Sequence, residues 1–557
     1  MVVCFVHKLV LSGLGTVSGS PQSNQIYCTG ELLRQVQQAQ LFTDDKHFVD
    51  MPLRAKPEEV LGQFQQLVNA TPGGGALSRQ QLAAFVEAHF FPPGQELQAW
   101  EPPDWTSRYG LPPALRLWPA QRHLPGSPRA LSLASPPPPL RGRGDSVCDF
   151  PSRDSFWIIE GLLLSGMAAT AEGMIQNFLF LVEKFGHIPN GGRVYYERRS
   201  QPPFLTLMME SYLKHTNSTS FLRRNIHLLE AEYRFWQQQR AVNISTGGQQ
   251  YQLNRYRVPE SGEQGVLQAC AHQPPQQSLW AELKTAAESG WDFSSRWFLP
   301  GPRSTQATLR DTKASEVVPV DLNAILCRVE RLLATFYREL GEAQKADSFQ
   351  AAHEQRVAAI RAVLWDDQAG SWFDYDLLQQ RKSTAFYPSN VAPLWAECGV
   401  DAAVVEKALG YLQGSSALSY ANGLPASLAR TGQQWDLPNA WAPLQHMVIE
   451  GLAKSSLPQA QELAFTLAQR WVRMNLAVYE RHHAMFEKVP SRSGGEAPLR
   501  CVAMGPVRLS PLQVGFGWTN GVVLQLLDRY GSRLTSTGAL VTPMLPWIGT
   551  CLALALL

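Results

Sequence analysis

The sequence has almost no excess of either charge: 49 lysines and arginines face 47 aspartates and glutamates, a formal charge of +2 over 557 residues. Without a basic field or stripe, a nucleic-acid partner is excluded. The eight cysteines (Cys4, Cys28, Cys148, Cys270, Cys327, Cys398, Cys501 and Cys551) form no Cys-x-x-Cys pair, and no histidine stands at ligand spacing, so neither a metal nor another cofactor is expected. No disulfide framework is indicated. Cys327 lies in a strongly helical stretch and reads as a buried free thiol. No series of alternating apolar and polar strands is visible. A fixed repeat period is missing too, which disfavours a helical solenoid.

What is present is ample core material, 45% hydrophobic residues, arranged at helical spacing. From residue 158 onward the chain reads as helices separated by loops rich in Gly, Pro, Trp, Asn and Asp. Leu163, Met167, Met174, Phe178, Leu181 and Phe185 predict one helix stopped by Gly186. Asp321 is a candidate N-cap for a second helix through Leu322, Ile325, Leu326, Val329, Leu332, Leu333 and Phe336. Leu463, Leu467, Trp471 and Met474 mark a third. Further helices are expected near 204–215, 220–240, 345–364, 401–413, 440–454 and 518–530. The count approaches the dozen that two concentric rings need, so an all-α toroid is expected, with its connecting loops building a pocket at one end.

Both ends carry targeting features. Residues 1–20 hold an apolar stretch, Leu9 to Val17, after Lys8 and before Ser18, Gly19 and Ser20, which passes for a secretory signal. Ser536, Thr537 and Gly538 precede an uncharged tail, Ala539 to Leu557, which reads as a GPI-anchor signal. Segment 535–557 is therefore expected to be exchanged for a lipid anchor on the extracellular face of the plasma membrane. The sequons Asn69-Ala-Thr, Asn217-Ser-Thr and Asn243-Ile-Ser agree with export. Between 21–101 and 154–534, the two parts expected to fold, segment 102–153 is too dense in proline for helix and is expected to be irregular.

Four polar-aromatic loops carry the chemistry: His187 to Arg193 with Arg198 to Pro203, Glu288 to Trp297, Gln433 to Pro443, and Gly515 to Gly521. Tryptophan offers a face for the C–H patches of a pyranose, and Arg, Asp, Asn and Gln reach its hydroxyls. Splitting an acetal between two sugars takes one protonated carboxyl and one ionised carboxyl. Asp292, between Trp291 and Phe293, suits the proton donor. Asp436, between Trp435 and Leu437, has similar surroundings, and chemistry alone does not rank the two.

Gln433-Gln-Trp-Asp-Leu-Pro-Asn-Ala-Trp-Ala-Pro443 resembles the second signature of the trehalases, glycoside hydrolase family 37. Similar matches run through Asp154 to Leu164, Asn190, Arg199 to Gln201, Glu288 to Trp297 and Gly515 to Gly521, and the sequence looks closest to the animal GPI-anchored members. The resemblance implies an (α/α)6 toroid, a six-hairpin barrel, that hydrolyses α,α-trehalose with inversion, water being the nucleophile. It gives Asp292 the general-acid place, and it gives Asp154, Asn190, Arg199, Ser200, Gln201 and Gly290 places in the sugar site. Arg257 and Glu260 are remnants of a longer Arg-Pro-Glu loop. Two stretches depart from the family. Arg153 stands where the first signature has Trp, and a substrate-binding arginine falls on Ser146, with Arg143 nearby. The general base is expected shortly before Gly515, where counting back reaches Leu509; the nearest acid is Glu496. The disrupted segments 102–153 and 499–510 break off abruptly against matched sequence, as alternative exons would. A catalytically silent sugar-binding toroid is the competing expectation.

Overall fold

Ser78 and Gln81 exchange hydrogen bonds as a capping box, and Pro57 sits in the first turn of its helix, so local sequence starts the first helices where side chains can satisfy or dispense with free N–H groups. The computed structural model describes residues 21–42, 47–71, 75–92, 152–191, 196–259, 277–299, 307–482, 484–491 and 516–536. Helices α1 (Glu31–Gln38), α2 (Pro57–Ala70) and α3 (Arg79–His89) gather around a core of their own that includes Ile26, Leu32, Val60, Phe64, Phe85 and Phe90.

The larger core belongs to a ring. Six helices form its inner wall: α4 (Ser152–Leu164), α6 (Leu205–Thr216), α9 (Val320–Glu339), α11 (Ala392–Ala396), α13 (Ala442–Ala453) and α15 (Gly517–Ser536). Each packs on the next, and α15 packs back on α4, so the ring closes. Helices α5 (Ala168–Phe185), α7 (Thr219–Gln239), α10 (Ala343–Val363), α12 (Ala402–Gly414) and α14 (Pro458–His482) lie outside it, while α8 (Gln277–Glu288) leads into one of the polar-aromatic loops. The inner position explains the composition of α13, which is buried from Ala442 to Leu452 on every face. Closure requires glycine. A Cβ on Gly161 of α4 would stand 3.0 Å from Cα of Gly521 on α15, and one on Gly521 would overlap the carbonyl of Trp157.

Three features differ from the sequence reading. The helix expected across 163–185 is two helices, because Gly166 takes a left-handed φ of 73° and breaks the run between Leu164 and Ala168; the stop at Gly186, with φ 75°, is where periodicity put it. Asp321 is not the N-cap of α9, whose cap is Pro319. Its carboxylate takes two bonds from Arg296, at 2.7 and 2.9 Å, and Asp374 caps the helix instead by accepting from Val320 N at 2.9 Å. Cys327 is not a free thiol: it is joined to Cys398, 71 residues on, with a Cα–Cα distance of 6.0 Å. The ring brings them together, since α9 and α11 are neighbours and Cys398 follows α11. Cys28 is buried.

Strand structure is short. Ala241–Thr246 and Gln249–Asn254 make an antiparallel hairpin around Gly247 and Gly248, both at positive φ, in the register Ala241 opposite Asn254. Asn439–Trp441 pairs antiparallel with Lys488–Pro490, Trp441 opposite Lys488. None of the described helices is long and apolar enough to cross a membrane. Segments 1–20, 102–151 and 537–557, on which the targeting and proline-rich readings fall, lie outside the described residues.

Candidate active site

The first turns of inner helices meet at one end of the ring, where Trp157 of α4, Asp321 and Ile325 of α9 and Leu444 and Met447 of α13 line a cavity of about 30 Å³ together with Trp291, Trp435 and Arg153. Such a volume admits solvent rather than a disaccharide. Two loops reach this end carrying acids.

The first loop leaves α8 and runs from Ser289 to Trp297. Its floor is fixed by Asp436, whose buried carboxylate accepts from Ser294 Oγ at 2.9 Å, Ser295 N at 2.8 Å, Ser295 Oγ at 2.9 Å, Ser427 Oγ at 2.7 Å and Thr431 Oγ1. Five donors thus converge on its two oxygens. Asp292 is half-buried at the bend of the loop. Arg296 anchors the loop's far end. Its buried guanidinium bonds Asp321 and Asp374 and lies 4.6 Å from the ring of Trp291. An aromatic slab flanks the acid: Trp291 stacks on Trp435 at 5.1 Å, and Trp435 on Trp441 at 3.8 Å with the planes 2° apart.

The second acid is Glu487, which sequence reasoning missed. It follows α14 and directly precedes the strand Lys488–Pro490. Helix α15 pins its backbone, Thr519 Oγ1 donating to Phe486 O at 2.7 Å and Trp518 Nε1 to Glu487 O at 3.0 Å. Burial pushes the Glu487 carboxyl up, Lys488 at 3.3 Å pulls it down, the charge of Asp292 raises it, and Arg153 lowers it. Asp154 joins the same group. Burial pushes it up to about 6 against the pull of Arg153, with Glu487 and Asp292 adding to the rise. Three carboxyls from separate elements thus feel one another's charge. Weak signals for Glu487 existed in the sequence: an acid flanked by Phe486 and Lys488, just past the end of a long helix.

The remaining candidates divide. Asn190 and Arg199 face each other, Arg199 Nε donating to Asn190 Oδ1 at 2.6 Å, and Ser200 and Gln201 are buried beside them. Glu288 ties this loop to the acid-bearing one: it accepts from Ser200 N at 2.9 Å, from Arg257 N at 3.1 Å and from the buried Arg240 at 2.7 and 2.9 Å. Gln201 Nε2 donates to Ala287 O at 3.2 Å, while its buried Oε1 has no hydrogen-bond partner among the described residues. Gly290, at φ 74°, offers its carbonyl to Arg153, which also reaches Asp154 Oδ1 at 3.2 Å and lies 5.1 Å from the rings of both Trp435 and Trp518. Arg257 contributes its backbone here, and its side chain is exposed. Glu260 and Glu496 lie outside the described residues, as do Arg143, Ser146 and Leu509.

Comparison with known proteins points one way. A family model described as Trehalase matches residues 40–120 and 152–531. Human trehalase is 48% identical over 578 aligned residues, covering 99% of this chain and 97% of the human protein. Rabbit trehalase (Oryctolagus cuniculus) is 47% identical, with 99% and 98% coverage, and the honeybee protein (Apis mellifera) is 40% identical, with 93% and 86%. Among solved structures, the neutral trehalase of Saccharomyces cerevisiae superposes with a TM-score of 0.55 at 22% identity, covering 72% of this chain and 74% of the yeast one, which supports the toroid fold.

Proposed function

The chain belongs to the trehalase family, and from that premise we propose that it hydrolyses α,α-trehalose to two glucose molecules by an inverting mechanism, with Asp292 as general acid and Glu487 as general base. The observation that carries the reading is that Asp292 and Glu487, delivered by different loops, sense each other's charge at the mouth of the ring. Inversion asks for carboxyls separated by roughly 6.5 to 9.5 Å, with water between. The neighbours support these roles. Lys488, at 3.3 Å, favours the ionised Glu487 that a base requires, and Asp292 sits between Trp291 and Phe293 on the aromatic slab.

In the reaction Asp292 gives its proton to the glycosidic oxygen, which leaves with the bonding electron pair as the hydroxyl of the first glucose. Glu487 takes a proton from water, whose oxygen bonds the anomeric carbon from the opposite face. Asn190, Arg199, Ser200, Gln201, Gly290 and Asp154 hold the sugars, with Arg257 and Glu260 as further sugar-binding candidates; a sugar hydroxyl would satisfy the buried Gln201 Oε1. With a second acid, Glu487, near enough to Asp292 for their charges to interact, the alternative of a silent sugar-binding toroid loses its motive.

Export and a lipid anchor belong to the same proposal. The exposed sequon residues Asn217 and Asn243 and the Cys327–Cys398 disulfide support an oxidising, extracellular setting; release of activity from cell membranes by a phosphatidylinositol-specific phospholipase tests the anchor. For the chemistry, purified protein with trehalose should release one α- and one β-glucose per turnover by NMR. Asp292→Asn and Glu487→Gln should each lower kcat by about 10² to 10⁴-fold. Wild-type turnover in Glu487→Gln would remove the base assignment.

A further inference from the structure

We propose that Gln434 and Lys488 form a clamp that sets the gap between the two working carboxyls, Gln434 holding the main chain of Asp292 and Lys488 the side chain of Glu487; the proposal rests on the catalytic roles assigned above. The carboxamide of Gln434 points both ways. Its Nε2 donates to Asp292 O, and its Oε1 accepts from Lys488 Nζ at 2.8 Å. Lys488 Nζ in turn donates to Glu487 Oε2 at 3.3 Å and lies 4.9 Å from the ring of Trp441. A continuous polar path therefore crosses from the loop after α8 to the segment after α14.

The bridge itself is stiff. Gln434 O accepts from Asn439 Nδ2 and Trp441 Nε1, each at 3.0 Å, Trp435 N donates to Phe293 O at 3.0 Å, and Trp441 stands opposite Lys488 in the strand pair. Its direction is also fixed. An ammonium can only donate, so the amide oxygen of Gln434 must face Lys488, and the NH₂ is left to face the acid loop. The segment Gln433–Pro443 supplies neither reacting carboxyl, yet it spans both arms.

An inverting hydrolase depends on a gap that fits one water, so loosening the clamp slows the chemical step more than it weakens sugar binding. The cation has a second effect. The charges facing Glu487 are Lys488 beside it, Arg153 of α4 acting in the same direction, and Asp154 of α4 and Asp292 of the acid loop acting against. Removing Lys488 leaves the base harder to ionise.

Gln434→Ala, Lys488→Met, Lys488→Arg and the Gln434→Ala/Lys488→Met double variant are assayed on trehalose across pH, with thermal melts alongside. Each neutral single variant should lose about 10- to 100-fold in kcat with KM within about 3-fold. The acidic limb of the kcat/KM profile should move to higher pH in Lys488→Met and stay in place in Gln434→Ala. Lys488→Arg should recover most of the rate, and the double variant should be no slower than the worse single one, since both cut the same path. Wild-type kcat in both single variants, or losses that track a lowered Tm with an unmoved pH profile, would overturn the clamp. Glu487→Gln run in parallel separates the two ideas: an inert Glu487→Gln beside fully active clamp variants defeats the clamp alone, whereas an active one defeats the base.

Discussion

Gly161 and Gly521 meet backbone to backbone where the first and last inner helices close the ring, with a Cβ on Gly161 only 3.0 Å from Cα of Gly521. On the same α15 helix, a Cβ on Gly531 would meet nothing within 4 Å among the described residues. Gly521→Ala should therefore cost on the order of 3 kcal/mol as α15 is pushed off α4, while Gly531→Ala should gain up to about 1 kcal/mol from helix propensity. Denaturant unfolding of the two variants checks the contrast, which equal effects would contradict.

Arg153 occupies the mouth of the pocket, bonded to Gly290 O and Asp154. A sugar reaching either partner must displace it. Arg153→Trp restores the residue type of the related signature and removes the competitor, so KM for trehalose should fall about 10-fold, the equivalent of one hydrogen bond to a charged group. Loss of the guanidinium also lets Asp154 and Glu487 rise, so the acidic limb of activity should move up in pH. Steady-state kinetics from pH 4 to 8 read both effects.

Glu232 is buried in α7, and burial pushes its carboxyl from an ordinary value near 4.5 up to about 8. Among the described residues its Oε1 has no hydrogen-bond partner, nor does Trp236 Nε1 one turn on. The folded state binds this proton more tightly than the unfolded chain, so the linked stability is present in full below about pH 4.5 and is lost as pH rises towards 8. Glu232→Gln removes the dependence. It should raise Tm at pH 8 by several degrees, the size of a few kcal/mol, and change it little at pH 4.5; a gain of equal size at both pH values would contradict this.

The Cys327–Cys398 bond closes a loop across neighbouring ring helices. The Cys327→Ser/Cys398→Ser pair should lower stability by about 2 to 4 kcal/mol. Since neither Cys327 nor Cys398 lines the pocket, kcat on trehalose should hold at temperatures well below the new Tm.

Helices were legible because their apolar spacing is repeated for many turns, and Gly186 marked a real stop. The break at Gly166 was hidden, since leucines and methionines keep helical phase across it while only one glycine signals the turn. Asp321 sat where an N-cap belongs, but its partner Arg296 comes from a loop 25 residues upstream, which no local pattern reveals. The same limit governed the acids. Asp292 and Asp436 look alike in their sequence neighbours, and the five donors converging on Asp436 come from residues that no local pattern joins to it. Glu487 lacks a distinctive local motif; its importance comes from what the ring carries to it, and so it was passed over.

Ring closure has a bearing on biosynthesis. The wall shuts only when α15 docks on α4, and that same helix holds the carbonyls of Phe486 and Glu487 through Thr519 and Trp518. A nascent polypeptide on the ribosome, with every earlier ring helix already emerged, still has an open seam and an unanchored Glu487. Its capacity to cut sugar should switch on as the closing helix clears the exit tunnel, rather than grow with each hairpin added.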